Sequence, residues 1–294
     1  VRAGAAGAAS ERGADEAPPD LGRLSLNQYT TYHWSVAEAV EGCARAGLGW
    51  VGLWRDKVAA QGLRDSVRAL RETGVHCSSL CRGGMFPAAT AAERAARLDD
   101  NRRAIDECAE LGADTLVLVC GGIHHGGDVA AAREMVWDGI AAIAPDARER
   151  GVRLGIEPLH PMFCADRSVV VTLGQANDAA DRLNEPFPAD DPTVGVVVDA
   201  YHVWWDPRAG AEITRAGNRI FAFHVSDWIT PLPAVLEGRG MMGDGWIGLR
   251  EFRRAVDRAG YRGPIECEIF NRELWEQAGD AVLELMKARY LAHV

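Results

Sequence analysis

Four short apolar runs in the second half of the chain each finish on a side chain able to hold a metal ion: Leu154-Gly155-Ile156-Glu157, Val196-Val197-Val198-Asp199, Phe221-Ala222-Phe223-His224 and Ile265-Glu266-Cys267-Glu268. A strand that is buried along its length and then ends on a carboxylate or imidazole aims that group at whatever lies beyond the strand. Mixed oxygen and nitrogen donors of this kind suit a divalent cation. Glu157, Asp199, His224 and Glu268 are therefore the candidate ligands. His160, His202 and Asp227 each follow one of these residues by three positions. At that spacing a side chain falls on a loop rim, where it can touch substrate or orient a ligand. A helix cap for Asp227 and a plain surface loop for His160 are the alternatives, although Pro158 and Pro161 stiffen the His160 loop.

Earlier in the chain, Arg82 in Cys81-Arg82-Gly83-Gly84 is a candidate to bind a substrate oxygen or phosphate. His124 and His125 lie in a glycine-rich loop, Gly121-Gly122-Ile123-His124-His125-Gly126-Gly127, and are candidates for proton transfer. Glycine there lets the backbone approach a ligand closely. Arg239, ahead of Gly243-Asp244-Gly245, is a further candidate for the rim. Six of the nine tryptophans (Trp34, Trp54, Trp204, Trp205, Trp228 and Trp246) fall at or after the ends of predicted strands. Flat aromatic faces suit the apolar C–H faces of a sugar ring. Trp54, Trp204 and Trp228 are thus candidate substrate contacts; tryptophans so placed can equally cover the mouth of a barrel or form a subunit contact.

The elements that must position these groups alternate regularly from Leu24 onward. Strands are predicted over Leu24 to Gln28, Gly49 to Trp54, Val75 to Cys81, Thr115 to Cys120, Val152 to Glu157, Val194 to Asp199, Arg219 to Val225 and Pro264 to Ile269. Amphipathic stretches separate them: Val36 to Ala46, Val58 to Glu72, Ala91 to Leu111, Ala130 to Arg150, Thr172 to Leu183, a weaker Ala209 to Ala216, Leu249 to Ala259 and Arg272 to Ala292. Glycine closes helix after helix, in Ala46-Gly47, Thr73-Gly74, Leu111-Gly112, Arg150-Gly151 and Ala259-Gly260. Eight strand–helix units with strands too apolar to leave a face in water imply a fully covered parallel sheet. The simplest arrangement is an α/β fold, a closed (β/α)8 TIM barrel, whose C-terminal strand ends would gather the candidate ligands at one mouth. A doubly wound open sheet is the alternative, but no glycine-rich phosphate fingerprint follows the first strand.

Length and composition fit this: 294 residues, 48% hydrophobic and 25% charged, can bury one barrel-sized core. A single barrel domain over residues 23–294 is expected, behind a disordered tail over residues 1–22 that is rich in Ala, Gly, Pro and charge. The formal net charge of -10 argues against a nucleic-acid or anionic-membrane partner. Only Lys57 and Lys287 are lysines, so Schiff-base chemistry has few candidates. Seven scattered cysteines without a CxxC pair read as free thiols and point to a reducing cytoplasm. No apolar run reaches the length of a membrane span.

The phrases Gly155-Ile156-Glu157-Pro158, Val198-Asp199-Ala200-Tyr201-His202-Val203-Trp204-Trp205, Phe223-His224-Val225-Ser226-Asp227-Trp228, Arg239 with Gly243-Asp244-Gly245, and Ile265-Glu266-Cys267-Glu268-Ile269-Phe270 resemble the xylose-isomerase-like TIM-barrel superfamily. That group of sugar phosphate isomerases and epimerases also contains apurinic-site endonucleases and inosose dehydratases. The resemblance runs from about Leu24 to the end and is more specific to the superfamily than to a substrate. It implies Mn²⁺ foremost, or Mg²⁺, Co²⁺ or Zn²⁺, on Glu157, Asp199, His224 and Glu268; Glu266, two residues before Glu268 and on the same strand face, is a substitute ligand or a support behind the ligands. It also implies that Glu157 and Glu268 move the proton, one taking it from the carbon next to a carbonyl and the other returning it, through a metal-stabilised enediolate. The endonuclease branch fits poorly: Gly238-Arg239-Gly240 stands where that branch has an Asp-Arg-His phrase, and Cys81-Arg82 where it has another histidine.

The leading expectation is a metal-dependent isomerase or epimerase of a sugar or cyclitol. The alternative is a lyase or dehydratase on the same site, which a histidine base at His124, His125 or His160 would favour. A non-catalytic sugar-binding barrel ranks below both. The expected partner is a small sugar-derived molecule, and a homo-oligomer or an accessory-subunit role is compatible with everything above.

Overall fold

The computed structural model describes residues 21–124 and 126–294, so residues 1–20 of the expected tail and His125 lie outside the described residues, while Leu21 and Gly22, expected in that tail, instead form a short 3-10 helix with Arg23. In chain order the strands among these residues are β1 (Leu24–Asn27), β2 (Trp50–Trp54), β3 (His76–Gly84), β4 (Thr115–Val119), β5 (Arg153–Glu157), β6 (Val194–Asp199), β7 (Ile220–Val225), β8 (Asp227–Trp228), β9 (Arg239–Gly240) and β10 (Ile265–Cys267). β1 to β7 and β10 pair in parallel and close into a barrel in the order β1-β10-β7-β6-β5-β4-β3-β2, the closed (β/α)8 architecture that the alternating apolar runs imply. Closure removes the two open edges that a parallel sheet would otherwise present. No helix among the described residues is long and apolar enough to cross a membrane.

Side-chain alternation along each strand divides the core in two. Leu116, Leu118, Leu154, Ile156, Val196 and Val198 face the helices and belong to the large outer core. Val117, Val197, Ala222 and Cys81 form a separate small cluster inside the barrel. The interior is narrow: a Cβ at Gly155 would lie 2.8 Å from Val197 and 2.9 Å from a Thr115 methyl. Above this plug the inward row carries polar groups, and register decides which. Ser25 pairs with Glu266, Glu266 with His224, and His224 with Asp199, so these four residues form one row around the barrel.

The helices depart from expectation in two places. The stretch expected to run from Val58 to Glu72 is two helices, Arg55–Gln61 and Leu63–Thr73, separated at Gly62, whose φ of 95° lies outside the helical region that L-residues adopt. The final stretch likewise divides into Arg272–Trp275 and Gly279–His293. Among the strands, β3 extends to Gly84, with a register shift between Cys81 and Gly83 that leaves Arg82 between paired positions. β10 stops at Cys267, so Glu268 is the first residue beyond its strand. β8 and β9, an antiparallel pair in the β7-to-β10 connection, are too short to register as apolar runs.

Candidate metal centre

Glu157 and Asp199 are the last residues of β5 and β6, His224 is the penultimate residue of β7, and Glu268 follows β10. All four are buried, and one ligand atom from each lies within 4.8 Å of the others. His224 Nδ1 is 3.2 Å from Glu157 Oε1 and 3.6 Å from Glu268 Oε2. These atoms face one another with little to satisfy them: Glu157 Oε1 and both ring nitrogens of His224 are buried without a hydrogen bond among the described residues, and Glu268 Oε2 has an ion pair with Arg239 but no hydrogen bond there. Buried polar atoms are rarely left so, and three carboxylates with one imidazole form a donor set that a divalent cation would satisfy. The residues present therefore fit the metal that the motifs imply.

Arg239 was expected at the rim; it is instead 4% exposed and underlies the ligands. The β8–β9 pair carries it there. Its Nη1 donates to Asp199 Oδ2 at 2.8 Å and lies 2.9 Å from Glu268 Oε2, while its plane covers Tyr201 and Phe270 at 4.7 and 5.2 Å. Asp199 Oδ1 accepts the Tyr201 N–H at 2.8 Å.

The two glutamates titrate in opposite directions. Burial pushes Glu157 upward, and the nearby Glu268 and Asp199 add to this against the pull of His224. Burial also acts on Glu268, but Arg239 and then His224 outweigh it and hold that carboxyl well below the usual range. His224 is raised, because Glu266, Glu157 and Glu268 overcome the opposing effect of burial.

The remaining expected site residues fall into three groups. His160, Trp204 and Trp228 meet at the mouth, where Trp228 lies 4.9 Å from His160, 5.6 Å from Trp204 and 4.9 Å from Tyr201. Burial lowers His160 and so favours its neutral form. Across the mouth, Trp54 stacks on Tyr29 at 3.9 Å beside Phe270. Half-buried Arg82 has no hydrogen bond or ion pair from its guanidinium among the described residues; burial, then Arg167, lowers it.

His202 and Asp227 are both held by hydrogen bonds within the protein. His202 is buried, its Nδ1 accepts the His160 N–H at 3.2 Å, its Nε2 lies 3.0 Å from Arg239 Nη2, and burial pushes it down to about 3. Asp227 accepts N–H groups from Trp228, Gly243 and Ile247 and so ties down the loop that bears β9. His124 lies in the loop after β4, with its ring against Gly127, and His125 is outside the described residues. Trp34 is wedged beside Gly42 and Gly279, between two helices, and Trp246 is 71% exposed.

Asn27, Ser78, Ser79, Tyr29, Tyr201 and Phe270 complete the site and were not expected. The signal for Asn27 was present in Leu24-Ser25-Leu26-Asn27, where polar residues alternate along a strand that ought to be apolar.

A family model described as a xylose isomerase-like TIM barrel matches residues 40–289. The 3-dehydroshikimate dehydratase of Pseudomonas aeruginosa is 34% identical over 183 residues, covering 59% of this chain and 26% of that enzyme. The chain thus spans about a quarter of the length of the curated relatives it matches. The crystal structure of a Sinorhizobium meliloti protein is 47% identical, with a TM-score of 0.89 over 93% of this chain and 99% of that one. The IolI protein, crystallised with a zinc atom, shares the fold at 19% identity and a TM-score of 0.79, over 92% of this chain and 98% of its own. With its closed barrel, its converging Glu, Asp, His and Glu, and a family match over most of its length, the chain belongs to the xylose isomerase-like TIM-barrel family.

Proposed function

We propose that this protein is a metal-dependent lyase that removes water from a polyhydroxylated carbonyl compound, starting with the proton next to the carbonyl. The observation that carries this reading is the split environment of the two facing glutamates. Arg239 Nη1 lies 2.9 Å from Glu268 Oε2 and favours its ionised form, whereas Glu157 forms no ion pair with Arg or Lys among the described residues and burial pushes its carboxyl upward. Two carboxyl groups driven apart in this way supply a base and an acid within one site. A divalent cation on Glu157, Asp199, His224 and Glu268 would supply Lewis-acid polarisation of the substrate carbonyl. Glu268 takes the α-proton; the electron pair left behind forms the new double bond as the β-hydroxyl departs. Glu157 gives that hydroxyl the proton with which it leaves as water.

The aromatic walls around Trp54 and Trp228 suit the apolar faces of a ring and exclude solvent. Arg82, half-buried and without a hydrogen bond or ion pair from its guanidinium among the described residues, suits a carboxylate or another anionic group on the substrate. The 34% identity to a named dehydratase supports elimination. Epimerisation is the second reading, and the same pair of glutamates favours it: the two outcomes differ only in whether Glu157 returns its proton to oxygen or to carbon.

The test is incubation of Mn²⁺- or Zn²⁺-loaded protein with 3-dehydroshikimate and with a panel of ketoses and cyclitol ketones in deuterated water. A product lighter by one water and newly conjugated in the ultraviolet supports the lyase. A deuterated epimer of otherwise unchanged composition supports the second reading, and absence of both product and α-deuterium from every substrate rejects the proton-transfer assignment. With an anionic substrate, Arg82→Ala should raise KM about 10- to 100-fold, the value of a charge-assisted hydrogen bond, while kcat changes much less.

A further inference from the structure

Directly beneath the candidate ligands lies a fourth carboxylate, which the proposed reaction does not use. Glu266 is 2% exposed. It accepts from Asn27 Nδ2 at 2.6 Å, from Ser78 Oγ at 2.8 Å and from Ser79 Oγ at 2.9 Å, with Ser25 Oγ behind Ser78 at 2.8 Å. Neither Lys nor Arg pairs with it among the described residues. The cradle is tight: a Cβ on Gly52 would come within 2.0 Å of Glu266 Oε1. The same Asn27 amide reaches Glu268 Oε1 at 3.2 Å, while its own oxygen accepts Trp54 Nε1–H at 2.8 Å. One asparagine therefore holds both glutamates of β10 and its extension, leaving Glu268 Oε2 as the oxygen turned to the other ligands.

The two nitrogens of His224 face different carboxylates. Nδ1 points at Glu157 and Glu268, whereas Nε2 points at Glu266 Oε2, 3.9 Å away. We propose that Glu266 is a positioning residue, not a metal ligand: it receives the Nε2–H of His224 and thereby presents Nδ1 to the cation. The physical basis is that a neutral imidazole has one N–H and one lone pair, so a fixed acceptor on one side dictates which nitrogen binds the metal. At 3.9 Å the two atoms stand beyond hydrogen-bond reach, so the proposal requires a small tilt of the ring toward Glu266, which three donors hold in place. This inference rests on the metal-site reading above.

The decisive measurement needs no variant. In ¹⁵N-histidine-labelled, Zn²⁺-loaded protein, long-range ¹H–¹⁵N spectra should find His224 metal-bound through Nδ1 and protonated at Nε2; metal on Nε2 overturns the proposal. Glu266→Gln should weaken Zn²⁺ or Mn²⁺ affinity about 10- to 100-fold by competition with a chelator. Gly52→Ala, which displaces the carboxylate without altering charge, should do likewise. Unchanged affinity in a folded Glu266→Gln protein overturns the positioning role alone. A wild-type protein that takes up neither ion overturns both this inference and the metal-site reading.

Discussion

Replacing Glu268 by Gln should abolish both turnover and solvent exchange of the substrate α-proton, whereas Glu157→Gln should abolish turnover and spare the exchange. Glu268 is the carboxyl held ionised by Arg239 and so is the base of the first step; Glu157 is the one raised by burial and acts afterwards as the acid. Each loss should be about 10²- to 10⁴-fold, the range for removing a positioned acid or base. An amide oxygen can still face the cation, so metal content measured alongside separates lost chemistry from lost metal. Full turnover in both variants would end the assignment. Exchange that survives in Glu268→Gln and vanishes in Glu157→Gln would reverse the two roles.

Metal uptake should be stoichiometric, stabilising and favoured by high pH. Purified, chelated protein supplied with Mn²⁺ or Zn²⁺ at about 100 times its Kd should gain about 2.7 kcal/mol. For a domain of this size that corresponds to a rise in Tm of about 5–10 °C, reversed by EDTA together with all activity. The pH dependence follows from His224, which Glu266, Glu157 and Glu268 raise against the opposing effect of burial in the metal-free protein. A raised imidazole keeps its second proton to higher pH, and a cation must displace that proton before the nitrogen can bind it. Apparent affinity should therefore weaken as pH falls and strengthen as pH rises until His224 has lost that proton. Calorimetry in buffers of different ionisation enthalpy reads the released proton directly. Affinity that is flat with pH, or that falls on raising it, would mean that His224 is not a ligand.

The eightfold alternation was legible because buried parallel strands are apolar on both faces and helices close on glycine, both of which are local properties. The ends of β5, β6 and β7 could be read for the same reason, since each apolar run is followed at once by its polar residue. Other features were hidden where local pattern is silent. The break at Gly62 looks like one continuous amphipathic stretch, because a helix-compatible pattern resumes on the far side. The β8–β9 pair is two residues deep, and so nothing in the residues around Arg239 foretold that it would fold beneath Asp199 and Glu268 rather than stand at the rim. Trp34 resembled a mouth residue by its position after a strand, yet it fills a gap between helices that only their packing creates.

By itself, the sequence determined the fold class and the identity of the four converging residues, because burial, helix closure and metal-donor type are carried by individual residues and their near neighbours. Tertiary structure decided everything that depends on register across strands. The row Ser25, Glu266, His224 and Asp199 pairs Glu266 with His224, outside the converging group of Glu157, Asp199, His224 and Glu268. The approach of Arg239 sets the charge of Glu268 apart from that of Glu157. A strand's alternation tells which way a side chain points but not what it meets there, since a shift of one residue in pairing exchanges every partner.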